Sequence, residues 1–116
     1  ALSSAAMARE ALEVARRALA QDPQDPMTLD TLGVVFTLGN AHEEAAQAFR
    51  GAVALQPGIA SYRFNLGTSL SILGDMQGAE REHEACLALD PRYWKAHLAL
   101  AQLRRQRAES NHVERL

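Results

Sequence analysis

Residues 31–57 read TLGVVFTLGNAHEEAAQAFRGAVALQP, and residues 65–91 read NLGTSLSILGDMQGAEREHEACLALDP. Shifted by 34 and overlaid, Leu32-Gly33 falls on Leu66-Gly67, Ala45 on Ala79, Ala54-Leu55 on Ala88-Leu89 and Pro57 on Pro91. The spacing runs on in both directions. Pro23 precedes Pro57 by 34, Ala11 and Ala20 stand 34 before Ala45 and Ala54, and Leu100-Ala101 comes 34 after Leu66-Gly67. Several residue types sharing one period in the 20–50 range mark an array of stacked units rather than a single closed core.

Each unit divides into two helices. Leu29, Leu32, Gly33 and Phe36 follow the i, i+3, i+4, i+7 spacing of one helical face, and Arg63, Leu66, Gly67 and Leu70 repeat it. The second helices present Ala45, Phe49, Ala52 and Val53, then Ala79, His83, Cys86 and Leu87. Glycine in a helix interior costs about 1 kcal/mol relative to alanine. Its recurrence at 33 and 67 therefore implies close helix approach, expected here against the partner helix's alanines. Gly39-Asn40 and Gly74-Asp75 read as helix ends that tolerate a left-handed residue or cap the next helix. Asn40 with Glu43 reads as a capping box, and Asp25-Pro26 as an N-cap with proline at the first helical position. Pro23, Pro57 and Pro91 close the second helices, since proline has no N–H to continue the ladder. The expected helices are 4–21, 26–39, 41–55, 59–73, 75–89 and 92–107.

Composition agrees with an all-α chain. Alanine (22) and leucine (16) fill about a third of the 116 positions, while β-branched and aromatic residues are too few for a sandwich or parallel sheet. No apolar run approaches the roughly 20 residues that span a bilayer, so membrane insertion is not expected. The start, ALSSAAMARE, has no basic n-region or apolar core of a signal peptide, which makes a cytoplasmic location the expectation. Residues 1–90 hold six Arg against twelve Asp or Glu, and residues 91–116 hold six Lys or Arg against two Glu. An acidic body with a basic end is the reverse of a nucleic-acid binder's charge pattern. Arg104, Arg105 and Arg107 read as the solvated last turn of a helix, where cations suit the dipole.

The 34-residue helix-turn-helix pattern resembles the tetratricopeptide repeat. The first unit carries that family's Leu-Gly at Leu32 and Gly33, its bulky residue at Phe36, alanine at Ala45, aromatic at Phe49, small residue at Ala52 and proline at Pro57. The second unit matches at Asn65, Leu66, Gly67, Leu70, Gly74, Ala79 and Pro91, and departs at His83 and Cys86. Residues 5–25 match only a second helix, and residues 94–107 only a first helix, with Ala101 replacing glycine. The resemblance implies a right-handed superhelical solenoid of antiparallel helix pairs, about six helices in one domain over 1–116. Its expected parts are a half repeat at 5–25, repeats at 26–59 and 60–93, a half repeat at 94–107 and a tail at 108–116. Leu12, Ala15 and Leu19 are expected to be exposed at the open first end. Arg104, where Phe36 and Leu70 stand in the full units, is expected to close the apolar seam. Ser110 and Asn111 read as a break before another helix begins. Two half units suggest a portion of a longer chain.

The family's first helices line a groove that holds peptides or partner proteins. On this sequence the resemblance assigns that groove to Asp30, Val34 and Thr37, then Phe64, Asn65, Thr68 and Ser71, then Lys95, Leu98, Gln102 and Arg105. The expected function is a protein-interaction scaffold binding a protein or peptide partner, with no cofactor, metal or nucleic acid. The alternatives are an accessory region of a larger bacterial enzyme such as a sulfotransferase, or self-association through exposed end helices. A subgroup of the family clamps acidic chaperone tails. Asn65 and Lys95 fit that pattern, whereas Asp30, Val34 and Ala99 do not. Catalysis finds no support: His42-Glu43-Glu44 lacks the second histidine of H-E-x-x-H, Ala46 standing in its place. His83, Cys86 and His97 could be imagined around zinc, but a core histidine and thiol is the simpler reading.

Overall fold

The computed structural model describes residues 3–115, with side chains through residue 109. Among the described residues six helices occur in order: α1 (Ser4–Ala20), α2 (Pro26–Leu38), α3 (His42–Leu55), α4 (Ala60–Ile72), α5 (Met76–Leu89) and α6 (Trp94–Arg115). No strand occurs among the described residues. The period survives in the fold to the residue. α2, α4 and α6 start at Pro26, Ala60 and Trp94, 34 apart, while α3 and α5 run His42–Leu55 and Met76–Leu89 at the same offset. α2 packs on α3 and α4 on α5, with α3 against α4 and α5 against α6 joining the pairs. The stack measures 51 × 33 × 21 Å, and its radius of gyration is 15.8 Å, against about 13 Å for a compact chain of this length. The chain is thus elongated, as an array should be.

Helix ends obey local chemistry. The Asp25 carboxylate accepts from the Thr28 N–H at 3.2 Å and its hydroxyl at 2.6 Å, ahead of proline at the start of α2. Asp75 accepts from the Gly78 N–H at 2.9 Å and opens α5. Asn40 behaves differently from the expected capping box. Its φ is +61°, so it serves as the left-handed terminator of α2, and α3 starts behind Ala41 without a side-chain cap. Gly74, 34 residues on, has φ +92°. The two turns therefore share one geometry, reached once with asparagine and once with glycine.

Packing inside the pairs corrects the expected glycine–alanine contact. A Cβ built on Gly33 would lie 2.3 Å from the Phe49 ring, and one on Gly67 would lie 2.8 Å from the His83 ring. Each glycine is the seat for a ring from the next helix. Around these seats lies a continuous core in which Phe36, Ala45, Ala48 and Ala52 are fully enclosed. The alanines let the helix backbones close in beside the rings.

The ends also differ from expectation. Ala15 is buried, and Leu12 and Leu19 pack partly against the core. Leu12 lies over Gly39, where an added Cβ would meet it at 2.7 Å. The open face of α1 is the other one, where Met7 and Val14 are exposed. α6 continues to Arg115 instead of stopping near 107, and the expected tail is helical through residue 115. No glycine or proline occurs after Pro91, and serine and asparagine each cost only about 0.5 kcal/mol of helix propensity. Arg104 and Arg107 are consequently mid-helix. They reach Glu84 at 3.6 Å and Glu80 at 2.7 Å on α5, so part of the basic end is spent on the acidic body.

Gly33→Ala should destabilise the chain by about 1–3 kcal/mol, the usual cost of overpacking, despite alanine's better helix propensity. Gly58→Ala, with nothing within 4 Å of the added methyl, should change stability by less than about 0.5 kcal/mol. Urea unfolding monitored by circular dichroism measures both.

Candidate functional site

α2, α4 and α6 lie side by side and share one face. Helical geometry puts residues three and four apart on the same side, and the 34-residue offset aligns those sides between helices. Two adjoining hollows result. The smaller, about 150 Å³, lies between α2 and α4 and is lined by Val34, Thr37, Phe64, Asn65 and Thr68 among others. The larger, about 380 Å³, lies between α4 and α6 and includes Phe64, Thr68, Ser71, Lys95, Leu98 and Gln102. Phe64 and Thr68 belong to both. Nine of the residues assigned from the sequence thus line the two hollows. Asp30 and Arg105 line neither.

The polar groups have specific partners. The Asn65 amide donates to the Asp30 carboxylate at 2.9 Å, a bond between α2 and α4 that occupies the asparagine proposed for ligand contact. The Thr37 hydroxyl donates to the Gly33 carbonyl at 2.8 Å and the Thr68 hydroxyl to the Phe64 carbonyl at 3.1 Å. With their protons engaged, these hydroxyls face a ligand as acceptors. Lys95 Nζ lies 5.7 Å from the centroid of the Trp94 ring, within cation–π range. Apolar surface is prominent on the same side: Leu38 is 81%, Trp94 66%, Leu98 54% and Ile72 53% exposed.

His83 is one of the lining residues that the sequence did not assign here, with Phe49 and Trp94 among the others. It sits on α5, is 1% exposed, and nevertheless contributes to the larger hollow. Its ring is tilted against Phe64 with centroids 5.2 Å apart, and Phe64 is 5.4 Å from Tyr93. Its Nδ1 is buried without a hydrogen-bond partner among the described residues. Burial pushes the imidazole below its ordinary value of 6.5, because the charged form loses solvation. Cys86, one turn on, is free and buried, and its thiol is pushed up by burial and then by Asp90. His97 bonds through Nε2 to the Pro91 carbonyl at 2.8 Å. Among the described residues no group of three or more His, Cys, Asp or Glu side chains could hold a metal, and no helix is long and apolar enough to cross a membrane. A further apolar hollow of about 610 Å³ lies between α1 and α2, lined by Met7, Ala11, Val14, Leu32 and Val35 with Glu10 at its edge.

Several solved structures superpose on this chain along most of its length. A crystal structure of MamA superposes with a TM-score of 0.77 over 96% of this chain and 68% of its own, at 20% identity. The first TPR of Spaghetti (RPAP3), bound to the HSP90 peptide SRMEEVD, gives 0.74 over 87% of this chain and 82% of its own, also at 20% identity. The fold is the tetratricopeptide-repeat fold. A curated relative, the inactive TPR repeat-containing thioredoxin TTL3 of Arabidopsis thaliana, is 28% identical over 97 residues. That match takes in 84% of this chain but spans only 14% of the relative's length. No protein-family profile matches the sequence. In the tetratricopeptide-repeat register, His83 occupies the place that Phe49 holds one unit earlier.

The depressed His83 pKa has a sign that can be tested. The unfolded chain takes up a proton near pH 6.5 that the folded chain takes up only at lower pH, so the unfolded state binds more protons between the two values. Stability contributed by the neutral ring is therefore complete above 6.5 and falls as the pH drops toward the folded value. Denaturant unfolding from pH 7.5 to 5 should show a stability loss that His83→Phe reduces, the variant gaining stability relative to the wild type as the pH falls.

Proposed function

We propose that the chain is a protein-interaction scaffold whose α2–α4–α6 face holds an extended peptide segment of a partner. The observation that carries this reading is the pair of adjoining hollows joined at Phe64 and Thr68, bordered by exposed Leu38, Ile72, Trp94 and Leu98. An extended chain can seat alternate side chains in two neighbouring hollows while its amides use nearby acceptors, here the Thr37 and Thr68 hydroxyls. Large apolar groups exposed together on one face need a partner to cover them. The RPAP3 array, captured with a peptide, supports the same use of this fold. The occupied Asn65 and the carboxylate of Asp30 disfavour the acidic-tail clamp, since a ligand carboxylate there would meet a like charge.

A displayed peptide library panned against the purified chain, with amide shift mapping of a selected peptide, tests the assignment. Shifts should concentrate on α2, α4 and α6. Leu98→Glu should weaken binding by more than about tenfold, the effect expected of an interface anchor, while Arg81→Glu on α5 should leave it within about twofold. Shifts confined to α3 and α5, or an unaffected Leu98→Glu variant, would overturn the groove reading.

A further inference from the structure

One repeat position puts a different ring on each hollow. Phe49 contributes to the hollow between α2 and α4. Its counterpart 34 residues later, His83, contributes to the hollow between α4 and α6. Both rings sit over a glycine, Gly33 and Gly67 respectively, so the seat accepts a phenyl group without difficulty. An imidazole in that seat adds buried polar nitrogens to a mostly apolar wall, where Phe64, Ile72 and Leu98 stand beside the polar groups of Thr68, Ser71, Lys95 and Gln102. Nδ1 finds no partner among the described residues, and leaving a buried polar atom unpaired is unfavourable. Because burial keeps the ring neutral, one of its nitrogens carries an uncommitted lone pair.

The volume limits the occupant. About 380 Å³ lies near the lower end of the roughly 300–1,000 Å³ typical of ligand pockets, enough for one large side chain and too little for a helix. Walls that are mostly apolar call for an apolar body, and the buried imidazole calls for a donor at its tip. Tyrosine combines the two, with its hydroxyl at the far end of the ring's long axis. Tryptophan carries its N–H on the flank of a broader bicycle, and phenylalanine carries no donor.

We propose that the hollow between α4 and α6 is a tyrosine pocket: the partner's tyrosine ring lies against Phe64 and Leu98, and its phenolic O–H donates to the uncommitted imidazole nitrogen of His83. This rests on the groove reading and names the side chain that the groove selects. His83 is then a specificity residue, and the first hollow, closed by Phe49, has no such preference.

The test titrates the full chain, labelled with ¹⁵N-histidine, with N-acetyl-tyrosinamide, N-acetyl-phenylalaninamide and N-acetyl-tryptophanamide. The tyrosine compound should bind roughly 3- to 10-fold more tightly than the phenylalanine compound, the ratio that one net hydrogen bond supplies, and should shift the ring nitrogens of His83. His83→Phe should bring the two affinities within about twofold, since the bond is then lost. Thermal unfolding by circular dichroism checks that variant's fold. Leu98→Trp, at an exposed site, fills the hollow and should weaken the tyrosine compound independently of His83. Equal affinities, a preference that survives His83→Phe, tighter binding by the tryptophan compound, or no binding of the tyrosine compound overturns the pocket. Peptides without tyrosine that bind the α2–α4–α6 face equally well in wild type and His83→Phe would remove this inference and leave the groove reading standing.

Discussion

Everything in this chain depends on a ring seated over a glycine inside a helix. Without a side chain at Gly33 or Gly67, the ring of the next helix drops into the gap, and a methyl group there would overlap it. The propensity lost at each glycine, about 1 kcal/mol, is small beside the roughly 3–5 kcal/mol that removing a buried aromatic side chain costs. The seat also fixes the distance and rotation of α3 on α2 and of α5 on α4. Those orientations decide which residues of the first helices face the core and which face outward as the candidate groove. The rings that make the packing contact also border the hollows, Phe49 the smaller and His83 the larger.

The charge pattern takes on a structural meaning in the same frame. Arg63 reaches Glu82 at 3.1 Å, and Arg104 and Arg107 reach Glu84 and Glu80. These pairs lie at partly or largely exposed positions, where an ion pair contributes at most about 1 kcal/mol. Two of them join the acidic second helix α5 to the basic α6, so the uneven charge along the sequence becomes a set of contacts between neighbouring helices.

The fold was legible in the sequence because a period of 34 carried by glycine, alanine and proline is itself a statement about geometry. The starts of α2, α4 and α6 at Pro26, Ala60 and Trp94 are its direct consequence. The outward face was legible for the same reason, since side-chain direction along a helix is set by position alone. Three features were not. The Asp30–Asn65 bond joins residues 35 apart, and nothing local announces a polar pair across two helices. The length of α6 depends on Ser110 and Asn111, whose weak helix preference does not break a helix without glycine or proline nearby. His83 stands at a core position of the repeat, so its register says buried ring and nothing more; only the three-dimensional neighbourhood shows that it borders the hollow and that Nδ1 lacks a partner among the described residues. A departure from the pattern, imidazole where phenyl stood one unit earlier, was the available signal.

The most direct measurement of the central claim is a double-mutant cycle between Gly33→Ala and Phe49→Leu, read by urea unfolding. If the ring fills the space that glycine vacates, shrinking the ring makes room for the methyl, and the double variant should be more stable than the sum of the single effects by at least about 1 kcal/mol. Effects that add to within about 0.5 kcal/mol would show that the glycine and the ring do not depend on each other, and would contradict the account.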